Sequence, residues 1–220
     1  LFFFKHNPPS ALLRSLVGSE MCIRDSIMIK KTSILLAFLL ATNIAFSSNT
    51  PDGFLKDSVQ EISLLVSKYK DRFETDEEFL RDKMNSSVMP KLDIKLMSKI
   101  ILGKKIWTEM SESQKDDFVE AFQYRMTSTY MKSITAFDGE KVVFLPYEPG
   151  KRENIAYVKS KYLIPGGDIA VDYRLIKKSE EWKVYDIIFD GISLMKNYRA
   201  DFREHVSHNG IESLITSLRE

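Results

Sequence analysis

The chain has 220 residues, of which 44% are hydrophobic and 29% charged, with a formal net charge of +1 at pH 7. So even a balance argues against a nucleic-acid binder, which normally shows a basic excess. The single cysteine, Cys22, lies near the start, so the rest of the chain can form neither a disulfide nor a thiolate metal site.

Residues 1–27 show no sustained period, and "SLVGSEMCIRDS" within them resembles translated sequencing linker. The native start is therefore expected at Met28. Residues 28–47 have the three parts of a secretory signal peptide. Lys30 and Lys31 precede the apolar stretch Ile34 to Leu40, and Ala45 and Ser47 suit a cut before Ser48. The apolar run is shorter than the about 20 residues a spanning helix needs. Residues 48–220 are expected as one mature domain, exported to the periplasm of a Gram-negative bacterium.

Helices come first. Phe54, Leu55, Val59, Ile62, Leu65, Val66 and Tyr69 recur at helical spacing. Met89-Pro90 predicts a break, and Asp93 to Leu102 a second helix ended by Gly103. "SESQ" at Ser111 to Gln114 fits a capping box, opening a long helix to about Ile134 with Phe118, Phe122, Met126, Thr129 and Tyr130 along one side.

Strands follow at Val142–Tyr147, Ile155–Ile164, Asp168–Lys177 and Trp182–Phe189. Their short connections imply antiparallel neighbours. Helix returns from Ser193 to about Val206 and, past Gly210, from Ile211 to Leu218. The pattern is α+β: a curved antiparallel sheet of about four strands wrapped by N- and C-terminal helices. Such a cone either fills itself with side chains or leaves an apolar cavity.

One strand poses a problem. Strict alternation puts Trp182, Val184 and Ile188 on one face and Tyr185, Ile187 and Phe189 on the other. Antiparallel sheets commonly leave one face to water, yet here both faces read as covered. The second cover is either the protein's own core or an apolar ligand.

Catalytic patterns are weak. His205 and His208 at i, i+3 have no third ligand of suitable spacing and read as surface histidines. Asp186 and Asp190 read as ion-pairing or turn-capping carboxylates rather than an acid–base pair. Ser193 lacks the flanking glycines of a nucleophile elbow and reads as a helix N-cap.

The order of short motifs resembles the MlaC family of phospholipid-binding, or toluene-tolerance, proteins. The residues that carry the resemblance are "ILGKKIWTEMSESQKDDFVEAFQYRMTSTY", "GGDIAVDYRL", "WKVYDIIFDGISLMKNYRADF" and "HNGIESLITSL". Phe189 and Asp190 depart from the residues common in relatives. The resemblance implies an NTF2-like-related fold with acyl chains inside and the head group outside. It implies no catalytic residue and no cofactor beyond a glycerophospholipid cargo. It also implies a monomer serving an inner-membrane ABC transporter with an MCE-type lipid-binding subunit and an outer-membrane lipoprotein–porin complex, in a pathway that maintains outer-membrane lipid asymmetry.

The expected cavity lining is Trp107, Phe118, Phe122, Tyr130, Phe144, Val158, Tyr162, Val171, Tyr173, Tyr185, Ile187, Phe189 and Met195. Methionine adapts to differing tails. Arg125 and Lys159 are candidates for phosphate contact at the mouth. The alternative is an enzyme of NTF2-like fold acting on a small apolar substrate, which requires two convergent titratable groups in the pocket.

Overall fold

Thr50 opens the described chain as a helix cap, its side chain accepting from the Gly53 amide at 3.2 Å. The computed structural model describes residues 50–135 and 141–220. The expectations for residues 1–27 and for the signal segment 28–47 lie outside the described residues. Helix α1 spans Pro51–Thr75, with proline in its first turn, where a missing amide hydrogen costs nothing. Asp76 caps α2, Glu77–Lys83, by accepting from Phe79 N at 3.0 Å.

The break expected at Met89-Pro90 is a π turn, Met84–Val88, followed by a 3-10 turn, Met89–Lys91. Asp93 then caps α3, Ile94–Glu109, through Leu96 N at 3.0 Å. Gly103 has φ +74°, a conformation that favours glycine. It breaks the helix as expected: its backbone is non-helical, and a second helical stretch follows the kink and runs to Glu109.

The capping box forms as the sequence implied. Ser111 N donates to Gln114 Oε1 at 2.9 Å, and Gln114 N donates to Ser111 Oγ at 3.2 Å, opening α4, Glu112–Thr135. Ser111→Ala is expected to cost about 1 kcal/mol, read as a lower urea midpoint at unchanged slope. An unmoved midpoint would mean the cap adds nothing here.

Six strands form one antiparallel sheet: β1 Lys141–Phe144, β2 Glu148–Pro149, β3 Ile155–Ile164, β4 Gly167–Lys178, β5 Glu181–Phe189 and β6 Ile192–Ser193. Their order is β1-β3-β4-β5-β6, with β2 also paired to β3. Four strands were expected; the two additional ones are two-residue pieces, too short to show a period. The span α5, Leu194–Leu218, holds the two expected C-terminal helices on either side of a kink at Gly210, which is non-helical at φ +81°. Among the described residues no helix is long and apolar enough to cross a membrane.

The problem posed by the two apolar faces of β5 is resolved by its register. Asp186 pairs with Arg174, but Leu175 pairs with Val184, so Tyr185 is an extra residue in a β-bulge. The bulge reverses the phase of the strand. Trp182, Val184 and Ile187 all join one apolar cluster, whereas Tyr185 packs against the helices. The expectation that Ile187 shares a face with Tyr185, opposite Trp182 and Val184, is thereby corrected.

Two cores result. The larger is helical, drawn from α1 to α5 and centred on Met97, Ile101, Phe118 and Phe122. The smaller lies on one face of the sheet, with Phe54 and Leu55 of α1 packed against it. Leu92 touches both cores, and the next residue, Asp93, ties α3 to the sheet by donating its amide to Val184 O at 2.9 Å.

Candidate functional site

The register defines the site. Val158 pairs with Tyr173, Ser160 with Val171, and Tyr162 with Ile169, so these side chains share one face. Phe144 joins them opposite Ser160, and Ile187 joins opposite Tyr173. The rings of Phe144 and Tyr173 lie 6.5 Å apart. Val171 pairs with Phe189 and Phe189 with Ile192, and exposure climbs along that row from 4% to 44% to 59%. The apolar face therefore runs from a buried centre out to the open edge of the sheet.

Its few polar atoms are satisfied internally. The Tyr162 and Tyr173 hydroxyls are 2.9 Å apart, and Ser160 Oγ donates to Val171 O at 2.6 Å. Burial, followed by the neighbouring Tyr162, pushes the Tyr173 hydroxyl well above the ordinary tyrosine range. It stays protonated. A surface with its hydroxyls already paired suits hydrocarbon, because no buried donor or acceptor is stranded when an apolar group covers it.

The thirteen residues expected to line one cavity divide between the two cores. Seven lie on the sheet face or its continuation to the edge: Phe144, Val158, Tyr162, Val171, Tyr173, Ile187 and Phe189. Phe118, Phe122, Tyr130, Tyr185, Met195 and Trp107 belong to the helical core. The Tyr130 hydroxyl is raised by burial and by its hydrogen bond to Tyr198, a helix neighbour. Trp107 also borders a surface groove.

Residues absent from the expected lining are Ser160, Ile169 and Leu175, which share the face by register, and Leu55, which covers it from α1. The alternation of β3 and β4 carried the signal for the first three. Nothing local carried it for Leu55.

Elsewhere the plain readings apply. Asp186 is 1% exposed and accepts from Ser193 Oγ at 2.8 Å, Met195 N at 3.2 Å and Arg174 Nη1 at 3.2 Å. Asp190 accepts from Ala170 N, and Ser193 Oγ caps α5 through Lys196 N. His205 contacts Ser213 Oγ at 3.2 Å. Arg125 donates to Ser217 O, and Lys159 pairs with Glu148 at 2.8 Å. Among the described residues no group of three or more His, Cys, Asp or Glu could hold a metal ion.

Fold and site together define a helix-backed α+β protein whose open antiparallel sheet presents an aromatic, apolar face. A family model described as MlaC protein matches residues 56–220, and the chain belongs to the MlaC family. The intermembrane phospholipid transport system binding protein MlaC of Haemophilus influenzae is 20% identical over 193 residues, covering 86% of this chain and 89% of that one. The toluene tolerance protein ttg2D of Pseudomonas putida is 24% identical over 179 residues, covering 80% and 81% respectively. A phospholipid-binding protein from Ralstonia solanacearum, solved in complex with a phospholipid, has the same fold at a TM-score of 0.70. It is 22% identical, with 77% of this chain and 94% of that chain covered.

Proposed function

We propose that this protein is a periplasmic glycerophospholipid carrier and not an enzyme. The acyl chains lie in an apolar cavity of an NTF2-like cone, against Phe144, Val158, Tyr162, Val171, Tyr173 and Ile187, with Phe189 at the mouth. The single observation that carries this reading is the sheet face itself, apolar, aromatic and internally hydrogen-bonded. The names of the relatives give the cargo class: phospholipid transport in one and a bound phospholipid in another. In this reading residues 28–47 direct export, and the carrier works as a monomer. It exchanges lipid with an outer-membrane lipoprotein–porin complex and an inner-membrane ABC transporter bearing an MCE-type subunit.

The energetics suit the task. Exposing a methylene to water costs roughly 0.8 kcal/mol, so two long tails cost on the order of 20 kcal/mol. A carrier removes that barrier by offering a surface about as apolar as the bilayer. Near-equality with the membrane serves it better than tight binding, because delivery requires release.

Protein purified without detergent is expected to yield phosphatidylethanolamine or phosphatidylglycerol on extraction and mass spectrometry, close to one lipid per chain. Val171→Trp, placing a large side chain at the centre of the face, is expected to cut that occupancy several-fold while the protein stays folded. If instead the face is filled by the protein's own side chains, the same change overpacks it and costs about 1–3 kcal/mol, with no lipid in either protein. That result would sink the carrier reading.

A further inference from the structure

A concave site lies along α3, bordered by Arg199 of α5 and lined by no residue of the sheet face. It is a groove of about 490 Å³ with Ile100, Gly103 and Trp107 in its floor and Lys99, Lys104 and Arg199 around it. The three cations are exposed, and their side chains make no ion pair or hydrogen bond with any described residue. Helix α3 carries four lysines, Lys95, Lys99, Lys104 and Lys105, against one acidic residue, Glu109. Trp107 is 8% exposed, and its indole N–H has no partner among the described residues. Gly103 shapes the floor: a Cβ there would stand 3.2 Å from Arg199 Nη2, so its absence makes room for the guanidinium beside the helix.

We propose that this groove docks an acidic segment of a partner protein, with carboxylates on the cationic rim and one apolar side chain over Trp107 and Ile100. Among the described residues Lys99, Lys104 and Arg199 have no anionic partner, so they fit an external anion. An apolar floor with a charged rim is the arrangement that receives one face of an amphipathic helix. A bilayer fits the groove less well, since Trp107 is buried while Lys99, Lys104 and Arg199 are exposed. The site is independent of the sheet face and of the cargo assigned to it.

The test uses the 15N-labelled protein and a synthetic amphipathic helix with a glutamate face and a leucine face, alongside its lysine counterpart. The glutamate peptide is expected to shift amides of Lys99 to Thr108, and salt should weaken it. K104E combined with R199E is expected to weaken it by about tenfold or more, while co-purified lipid stays at the wild-type level. No shift with the glutamate peptide, equal binding of the lysine peptide, or insensitivity to the double substitution would each overturn the proposal. Phosphatidylglycerol vesicles shifting the same amides would overturn it in favour of a membrane surface. Loss of lipid from the double variant would place the groove in the cargo site and overturn the docking role.

Discussion

Phe122→Ala is expected to lower stability by about 3–5 kcal/mol, the range for truncating a fully buried aromatic ring. Phe122 is 0% exposed and sits where α4 meets α5. It stacks on Phe118 at 6.1 Å, and Tyr198 and Phe202 approach edge-on at 5.3 and 6.1 Å. Removing the ring deletes contacts with three aromatic neighbours at once and leaves a cavity that rigid rings close poorly. Urea unfolding is the measurement, with lipid content read in parallel. A stability loss at unchanged lipid occupancy places Phe122 in the helical core only. A loss of lipid at unchanged stability would return it to the cargo wall, against the packing described above.

Asp186→Ala is expected to cost about 2–4 kcal/mol, because it strands partners at a buried site. The carboxylate holds Ser193 Oγ, the Met195 amide and the Arg174 guanidinium. The Arg174 side chain is 38% exposed and regains water, so most of the loss comes from the hydroxyl and the amide. Ser193 also caps α5, so the start of that helix is expected to fray, and its amides to exchange faster with solvent. Asp186→Asn keeps an acceptor and should lose less. An alanine variant with the wild-type urea midpoint would show that α5 is held to the sheet by other contacts.

The parts of this fold that were readable in the sequence are those decided within a few residues. Ser111 and Gln114 satisfy each other across one turn, and Gly103 and Gly210 adopt the positive φ that only glycine takes cheaply. The clean alternation of β4 reported which of its side chains share a face. What could not be read is set by distant partners. That a further helical stretch follows the kink at Gly103 depends on packing against other helices, and the periodicity of α4 marks an apolar side without saying what it meets. Phe118 and Phe122 therefore read as a cavity wall, with no sign in the sequence that their rings meet Phe202 where α4 packs on α5. The register slip at Tyr185 is likewise invisible from within β5, since it exists only against β4.

That slip settles where a charge ends up. With unbroken alternation Asp186 would stand in line with Trp182 and Val184, a carboxylate in the middle of the oily wall. One surplus residue turns it to the opposite, helix-covered face to fasten α5 and swings Ile187 in to take its place. Shortening the strand by deleting Tyr185 would therefore do two kinds of harm at once, unmooring the last helix and wetting the wall.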